Sequence, residues 1–314
     1  MNRFLTITLV AIIGQTVLSF SIAQDSTTSK WHSRYTAAVE EAKAQNKDLL
    51  IVFTGSNWID ICKTFEKDIL MQPDFIDPVS QKYSLLKLEF PKDNRLPAAL
   101  ASEYQLLKTA YRVRGFPTVL VTDSAGLPFG LNGYQPITAE NYARTMLAMV
   151  KGREIRDAAT NRAASLKGAK KVDALVESVP ELPGSLAARY YRKEMEEVIN
   201  LDPKNKSGRA DHFKKMLADV DYSSEMQRLA EQVQYEKMIE LTDSYIKEQN
   251  LSGELLQRTL MDKLSVLRKQ KNTEGVVRTL LEVVSVEPKS QFGKSAQKML
   301  DQLRAQKIQQ TLAK

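Results

Sequence analysis

The chain carries one cysteine, Cys62, in 314 residues. An intrachain disulfide is therefore excluded, and packing must hold the fold. Cys62 can pair only with another molecule, a second copy of the chain included, or stay free. Histidine is nearly as scarce. His32 and His212 are the only two; they lie far apart and have no metal-ligand spacing with Cys62, so no zinc site is expected. No glycine-rich loop suited to cradling phosphate is present, and no motif supports a Cys–His hydrolytic pair. No cofactor is expected. Long single-sign charge runs are also missing. The 45 basic and 38 acidic residues interleave and leave a net charge of +7. Nothing in that pattern reads as a nucleic-acid module. A basic balance still suits an anionic membrane surface or an acidic partner.

Beyond the first residues no segment is long and apolar enough to span a bilayer. The start itself is different. Arg3 precedes a mostly apolar stretch, Phe4 to Phe20, and Ser21-Ile22-Ala23 places small residues before Gln24. This predicts a secretory signal peptide over residues 1–23 and a periplasmic or secreted mature chain with no integral span. The rival is an uncleaved anchor, which Gln15, Thr16, Ser19 and Ser21 weaken. No cysteine stands at the cleavage point for lipid attachment. Asn205-Lys206-Ser207 and Asn250-Leu251-Ser252 match the glycosylation pattern, which matters only in a eukaryotic secretory route.

From Trp31 the periodicities alternate. A helix is predicted over Trp31 to Lys47, then a strand over Leu49 to Phe53, whose continuous apolar run marks burial on both faces. A helix follows over Asp60 to Met71, a strand over Leu85 to Phe90, and a helix over Ala98 to Tyr111. Thr118 to Thr122 and Phe129 to Tyr134 are adjacent strands around a turn at Asp123 to Gly126. Thr138 caps a last helix running to Val150. That order predicts an α/β sandwich. After Lys151 only helical periodicity remains, as in Leu255, Leu256, Leu260, Leu264 and Leu267. Breaks fall near 180–183, 203–208, 250–253, 272–275 and 288–293. The stretch Val198 to Lys204 echoes Val283 to Lys289, and each is followed at the same offset by glycine, Gly208 and Gly293. Two acid-Pro punctuations of this kind suggest an all-α, tetratricopeptide-like array; the alternative is an irregular bundle. The expected division is 24–152 for the sandwich and 153–314 for the helices.

Two motifs bear on chemistry. Phe53-Thr54-Gly55-Ser56-Asn57-Trp58-Ile59-Asp60-Ile61-Cys62-Lys63 follows a buried strand and opens a helix. Val113-Arg114-Gly115-Phe116-Pro117-Thr118-Val119 leads into another strand. Together they resemble the thioredoxin family over about residues 31–150. The first is similar to its Trp-Cys-x-x-Cys-Lys turn. The second is similar to its Gly-[Phe/Tyr]-Pro-Thr turn, whose proline is cis in that family and faces the active site. The resemblance to exported bacterial members extends to Trp31 and to the segment Leu96 to Arg114. It implies the fold and a peptide-contact surface at Trp58, Ile59, Phe116, Pro117 and Thr118.

The departure lies at Ile59, where the family carries its nucleophilic cysteine. Cys62 matches only the resolving position. Neither isoleucine nor any oxygen side chain can replace a thiolate in disulfide exchange, and the strand Leu49 to Phe53 holds no acid to relay a proton. Cys62 then has two readings: a monothiol activated by the helix N-terminus and Lys63, or a buried cysteine acting as a small hydrophobe. Pro117 and Trp58 are either a peptide-contact surface or local packing. Two functions follow. One is an exported protein-binding or scaffold module that is redox-degenerate, its helical array offering a second contact surface. The other is a single-cysteine thiol–disulfide exchange protein acting through Cys62.

Overall fold

In the computed structural model the described residues are 30–93 and 95–312; the signal-peptide reading falls outside them. The first half is a mixed sheet. Strands β1 (Trp31–His32), β2 (Asp48–Thr54), β3 (Tyr83–Glu89), β4 (Thr118–Thr122) and β5 (Pro128–Asn132) lie in the order β1-β3-β2-β4-β5. The β1, β3 and β2 strands are parallel, and β4 and β5 run antiparallel. Every residue of β2 is buried, as the unbroken apolar run requires of a strand covered on both faces.

Alternation along β2 divides two cores. Leu50 and Val52 face Phe65, Phe75 and Tyr142. These come from α2 (Asp60–Phe65), α3 (Pro73–Val79) and α5 (Ala139–Ser165). Leu49, Ile51 and Phe53 face Ala38, Ala42 and Tyr104, from α1 (Tyr35–Gln45) and α4 (Ala98–Ala110).

Four elements differ from the sequence reading. Helix α3, Pro73–Val79, has no counterpart in it. Trp31 and His32 pair with Leu85 and Leu86 as a strand, so the first helix begins only at Tyr35. The Trp31 ring stacks on Phe75 at 6.3 Å, and its Nε1 donates to the Leu70 carbonyl at 3.3 Å. The helix after Cys62 is α-helical through Phe65 and continues as a π-helical segment, Glu66–Leu70. The helix capped by Thr138, whose Oγ1 accepts from the Asn141 amide at 3.3 Å, does not stop near Val150. It continues through Gly152 to Ser165.

Helices fill the remainder: α6 (Gly168–Ser178), α7 (Gly184–Tyr190), α8 (Arg192–Leu201), α9 (Ala210–Glu231), α10 (Tyr235–Glu248), α11 (Gly253–Lys269), α12 (Thr273–Val286) and α13 (Gln291–Leu312). The helix α6 packs on α5 and α8, and α7 packs on α9 more than on α8; from α9 onward each helix packs mainly on its neighbours in the chain. Leu260, Leu264, Leu280 and Leu300 form a core over α11 to α13. Among the described residues no helix is long and apolar enough to cross a membrane.

The helices are joined to the sheet half by shared structure. Leu186 of α7 is buried in the core that Leu49, Ile51 and Phe53 face. Tyr190 stacks on Tyr111, centroids 5.7 Å apart. Arg156 of α5 is 4% exposed and donates from Nη2 to Asp123 Oδ2 at 2.8 Å and from Nε to Asp157 Oδ1 at 2.8 Å. The Tyr191 hydroxyl donates to the Pro128 carbonyl at 2.5 Å.

Candidate functional site

The strand β2 ends at Thr54 and the chain turns through Gly55. Both the Trp58 and Ile59 amides donate to the Gly55 carbonyl, at 3.1 and 2.9 Å. A methyl group on Gly55 would sit 2.7 Å from Trp58 Nε1, so only glycine lets the indole fold back over the turn. That indole donates from Nε1 to the Phe90 carbonyl at 2.8 Å. It remains 44% exposed: its polar edge is held while its face meets solvent.

Ile59 is the N-cap residue of α2, with extended backbone and no side-chain cap. A hydrocarbon there leaves the first-turn amides without a side-chain acceptor. Its carbonyl accepts from the Cys62 and Lys63 amides, at 3.0 Å each. Cys62 lies one turn inside the helix and is fully buried. Ile61, beside it in sequence, is 46% exposed. The helix therefore turns two apolar side chains, not a thiol, toward the surface.

The second motif meets the first in the interior of the sheet, where β2 ends beside the start of β4. Thr118 pairs with Phe53, the penultimate residue of β2. The Phe116–Pro117 peptide bond is cis, and Thr118 Oγ1 donates to the Gly115 carbonyl at 2.8 Å. Phe116 stacks on Phe90 at 4.8 Å. Trp58, Phe90, Tyr104 and Phe116 line one groove of about 500 Å³. Of the five contact residues expected from the sequence, Trp58 and Phe116 line this groove. Thr118 lines a second cleft beyond it, and Ile59 and Pro117 are half-buried at the two turns.

Below the helix, burial raises the Glu66 carboxyl, and the hydrogen bond and charge of Lys87 more than reverse it, holding the group below its ordinary value. At the opposite end of β2 stands Asp48, one residue before the expected start of that strand. Burial pushes it up to about 6, against the pull of Arg153 and with repulsion from Asp123. Arg153 Nε is 3.0 Å from its Oδ2. Five residues of extended strand lie between Asp48 and Thr54, so this acid is no proton relay for Cys62. Among the described residues no cluster of His, Cys, Asp and Glu is suited to a metal. His32 is 2.5 Å from the Glu41 carboxylate.

The family model described as "Thioredoxin-like domain" matches residues 35–148. The segment 35–148 belongs to the thioredoxin-like family. Over 122 residues the chain is 28% identical to a disulfide bond reductase, DsbH, of Chlamydia pneumoniae, covering 39% of this chain and 73% of that protein. Over 114 residues it is 25% identical to the thioredoxin-related protein DsbJ of the same organism, covering 36% of this chain and 33% of that protein. Among solved structures, a DsbH oxidoreductase is similar with a TM-score of 0.37 and 28% identity, over 38% of this chain and 83% of that one. A thioredoxin from Thermus thermophilus gives 0.30 and 18%, over 38% and 85%.

The sequence reading missed the surface beyond the groove. Lys108, Arg112 and Arg114 follow the thioredoxin-like domain's α4 into a cleft of about 780 Å³, whose far wall is Gly184 of α7 and Met216, Asp219 and Ser223 of α9. Lys108 lies in the last turn of α4, while Arg112, with φ 54°, follows the end of that helix. No local periodicity therefore marks that surface.

Proposed function

We propose that this chain is a protein-binding module whose thioredoxin-like domain is redox-degenerate and holds partners at the Trp58–Phe116 groove. The observation that carries the reading is the pairing of Ile59 at the helix-opening position with a Cys62 that is fully buried. Disulfide exchange begins with attack by an accessible thiolate. Here the half-buried helix-opening position has no sulfur, and the sulfur has no exposure. The aromatic groove remains, and aromatic surfaces of this kind anchor protein contacts. The helices α6 to α13 supply a second contact surface in this proposal, as a tetratricopeptide-like array over 153–314 beside the sandwich at 24–152. Export through the N-terminal signal peptide belongs to the same proposal.

Similarity to a disulfide bond reductase favours the second reading, exchange through Cys62 alone. Alkylation of Cys62 across pH, in native and denatured chain, separates the two. The expected result is labelling only after denaturation. Fast native labelling would overturn the proposal and move the monothiol reading to first place. A companion variant, Ile59→Cys, restores a sulfur at the helix-opening position. It is expected to gain reduction of a model disulfide with dithiothreitol as electron donor, while the unmodified chain stays at background.

A further inference from the structure

The groove at Trp58 and the cleft behind it are not separate. Gln105 and Lys108 line both. The result is one trough along α4, from the aromatic cluster at its head to helices α7 and α9 at its foot. From Ala101 to its end at Ala110 the helix spans about 14 Å at 1.5 Å per residue. That length matches about four residues of extended chain.

The trough is strongly one-signed. Lys92 and Lys108 stand at its head, and Arg112 and Arg114 at its foot. Asp219 is the only carboxylate among its lining residues, and it already accepts the Tyr245 hydroxyl. Some exposed cations elsewhere in the chain pair with acids, as Arg192 does with Asp221 and Arg228 with Glu225. Among the described residues, none of the four trough cations has an ion-pair partner. Lys108 instead lies over the rings of Phe116 and Phe90, at 5.3 and 5.8 Å. The Arg112 Nε is shielded from solvent and has no acceptor. A solvent-shielded Nε–H is out of a ligand's reach, so an incoming carboxylate would meet the other N–H groups of the guanidinium. The head of the trough offers stacked aromatics and a half-exposed indole; the foot offers unpaired cations.

We propose that this trough binds an extended acidic segment of a partner protein, with an aromatic side chain seated against Trp58 and Phe116 and the following carboxylates directed along Lys108, Arg112 and Arg114. The inference rests on the protein-binding reading above and adds the chemistry of the partner. A peptide fits better than a lipid surface because the cations line a concave trough between two elements rather than a convex face. The apolar and basic ends also lie in sequence along one line.

The test uses the full chain and two fluorescein-labelled peptides, read by anisotropy. One places Phe before Glu-Asp-Glu; the other is its neutral counterpart, Phe before Gln-Asn-Gln. The acidic peptide is expected to bind about tenfold tighter, the effect of one to two surface ion pairs, and more so at low salt. The double variant Lys92→Glu/Arg114→Glu changes two exposed residues at opposite ends of the trough, and should abolish the preference with the far-UV spectrum unchanged. Arg278→Glu on α12 should leave it intact. Equal binding of both peptides, lost in Trp58→Ala, would overturn this inference and leave the protein-binding reading standing. No binding by either peptide, with Cys62 labelled fast in the native chain, would overturn both. Binding to phosphatidylglycerol vesicles through the same cations, with no preference for the acidic peptide, would replace the peptide with a membrane surface.

Discussion

Asp48 shows how a single residue ties the sheet to the helices. It opens β2, is 7% exposed, and meets Arg153 of α5 across a 3.0 Å contact. Burial raises its carboxyl from an ordinary 3.8 to about 6, and Arg153 offsets only part of that. Between those two values the folded chain holds a proton that the unfolded chain releases. The stability from this group is thus fully present below about pH 4 and is lost as pH rises through about 6. Asp48→Asn cannot ionise, so its stability should stay flat over that window while the parent chain loses on the order of 1–2 kcal/mol, a figure discounted for solvent screening. Urea unfolding at a series of pH values measures the difference; a parent chain with no slope between pH 4 and 6 would contradict it. This acid was not visible as a buried group in the sequence, where the apolar run begins one residue later. Burial of Asp48 is set by Arg153 and Tyr83, neither of which is local. Trp58 and Phe116 were legible because each sits in a turn with its own motif. Lys108, Arg112 and Arg114 were not, because the wall that makes them a cleft comes from α7 and α9.

Among the elements, the four longer strands were read to within two residues at their ends, since apolar runs bounded by turn residues leave little freedom, whereas the two-residue β1 was read as helix. The helices were read well where Pro or Gly marks their ends, as at Pro203 and Pro288. They were missed where a break has no such mark. Val233 takes a left-handed conformation, φ 57°, between α9 and α10, and a β-branched residue gives no warning of that. The two glycines of the helical echo also part company. Gly208 lies ahead of α9 with φ 70°, whereas Gly293 lies inside the first turn of α13. There a methyl group would meet the Glu287 carbonyl oxygen at 2.2 Å and Pro288 backbone at 2.9 Å. Gly152, in the middle of α5, has nothing within 4 Å of the same position. The same substitution should therefore act in opposite directions. Gly152→Ala is expected to stabilise by about 0.5–1 kcal/mol through helix propensity and the unfolded chain. Gly293→Ala forces backbone apart and should destabilise by about 2 kcal/mol. Paired thermal melts read both, and a stabilised Gly293→Ala would show that α13 does not sit against the 287–288 turn.

At the scale of the molecule the cores are unequal in their connections. The sheet, α5 and α7 are bound by Leu186, Tyr190 and the buried Arg156 network. The helices α11 to α13 hold together through their own cluster and reach the rest through α10 and α9. A stack of that kind unfolds from its free end, because each unit is stabilised by its neighbours alone. The chain contains its own probe for this. Both tryptophans, Trp31 and Trp58, precede α5 in the sheet half, while the far-UV signal is dominated by helices spread over the whole chain. In urea the far-UV signal should begin to fall before the tryptophan fluorescence, giving two displaced curves rather than one. Arg156→Met removes the cation that Asp123 and Asp157 face. The loss of one partner from a buried pair costs about 3–5 kcal/mol. That variant should draw the fluorescence curve down toward the early far-UV phase and leave the early phase where it was. Coincident curves in the parent chain would mean instead that α10 to α13 share the stability of the sheet, and the partner-binding trough between α4 and α9 would then be as rigid as the core beneath it.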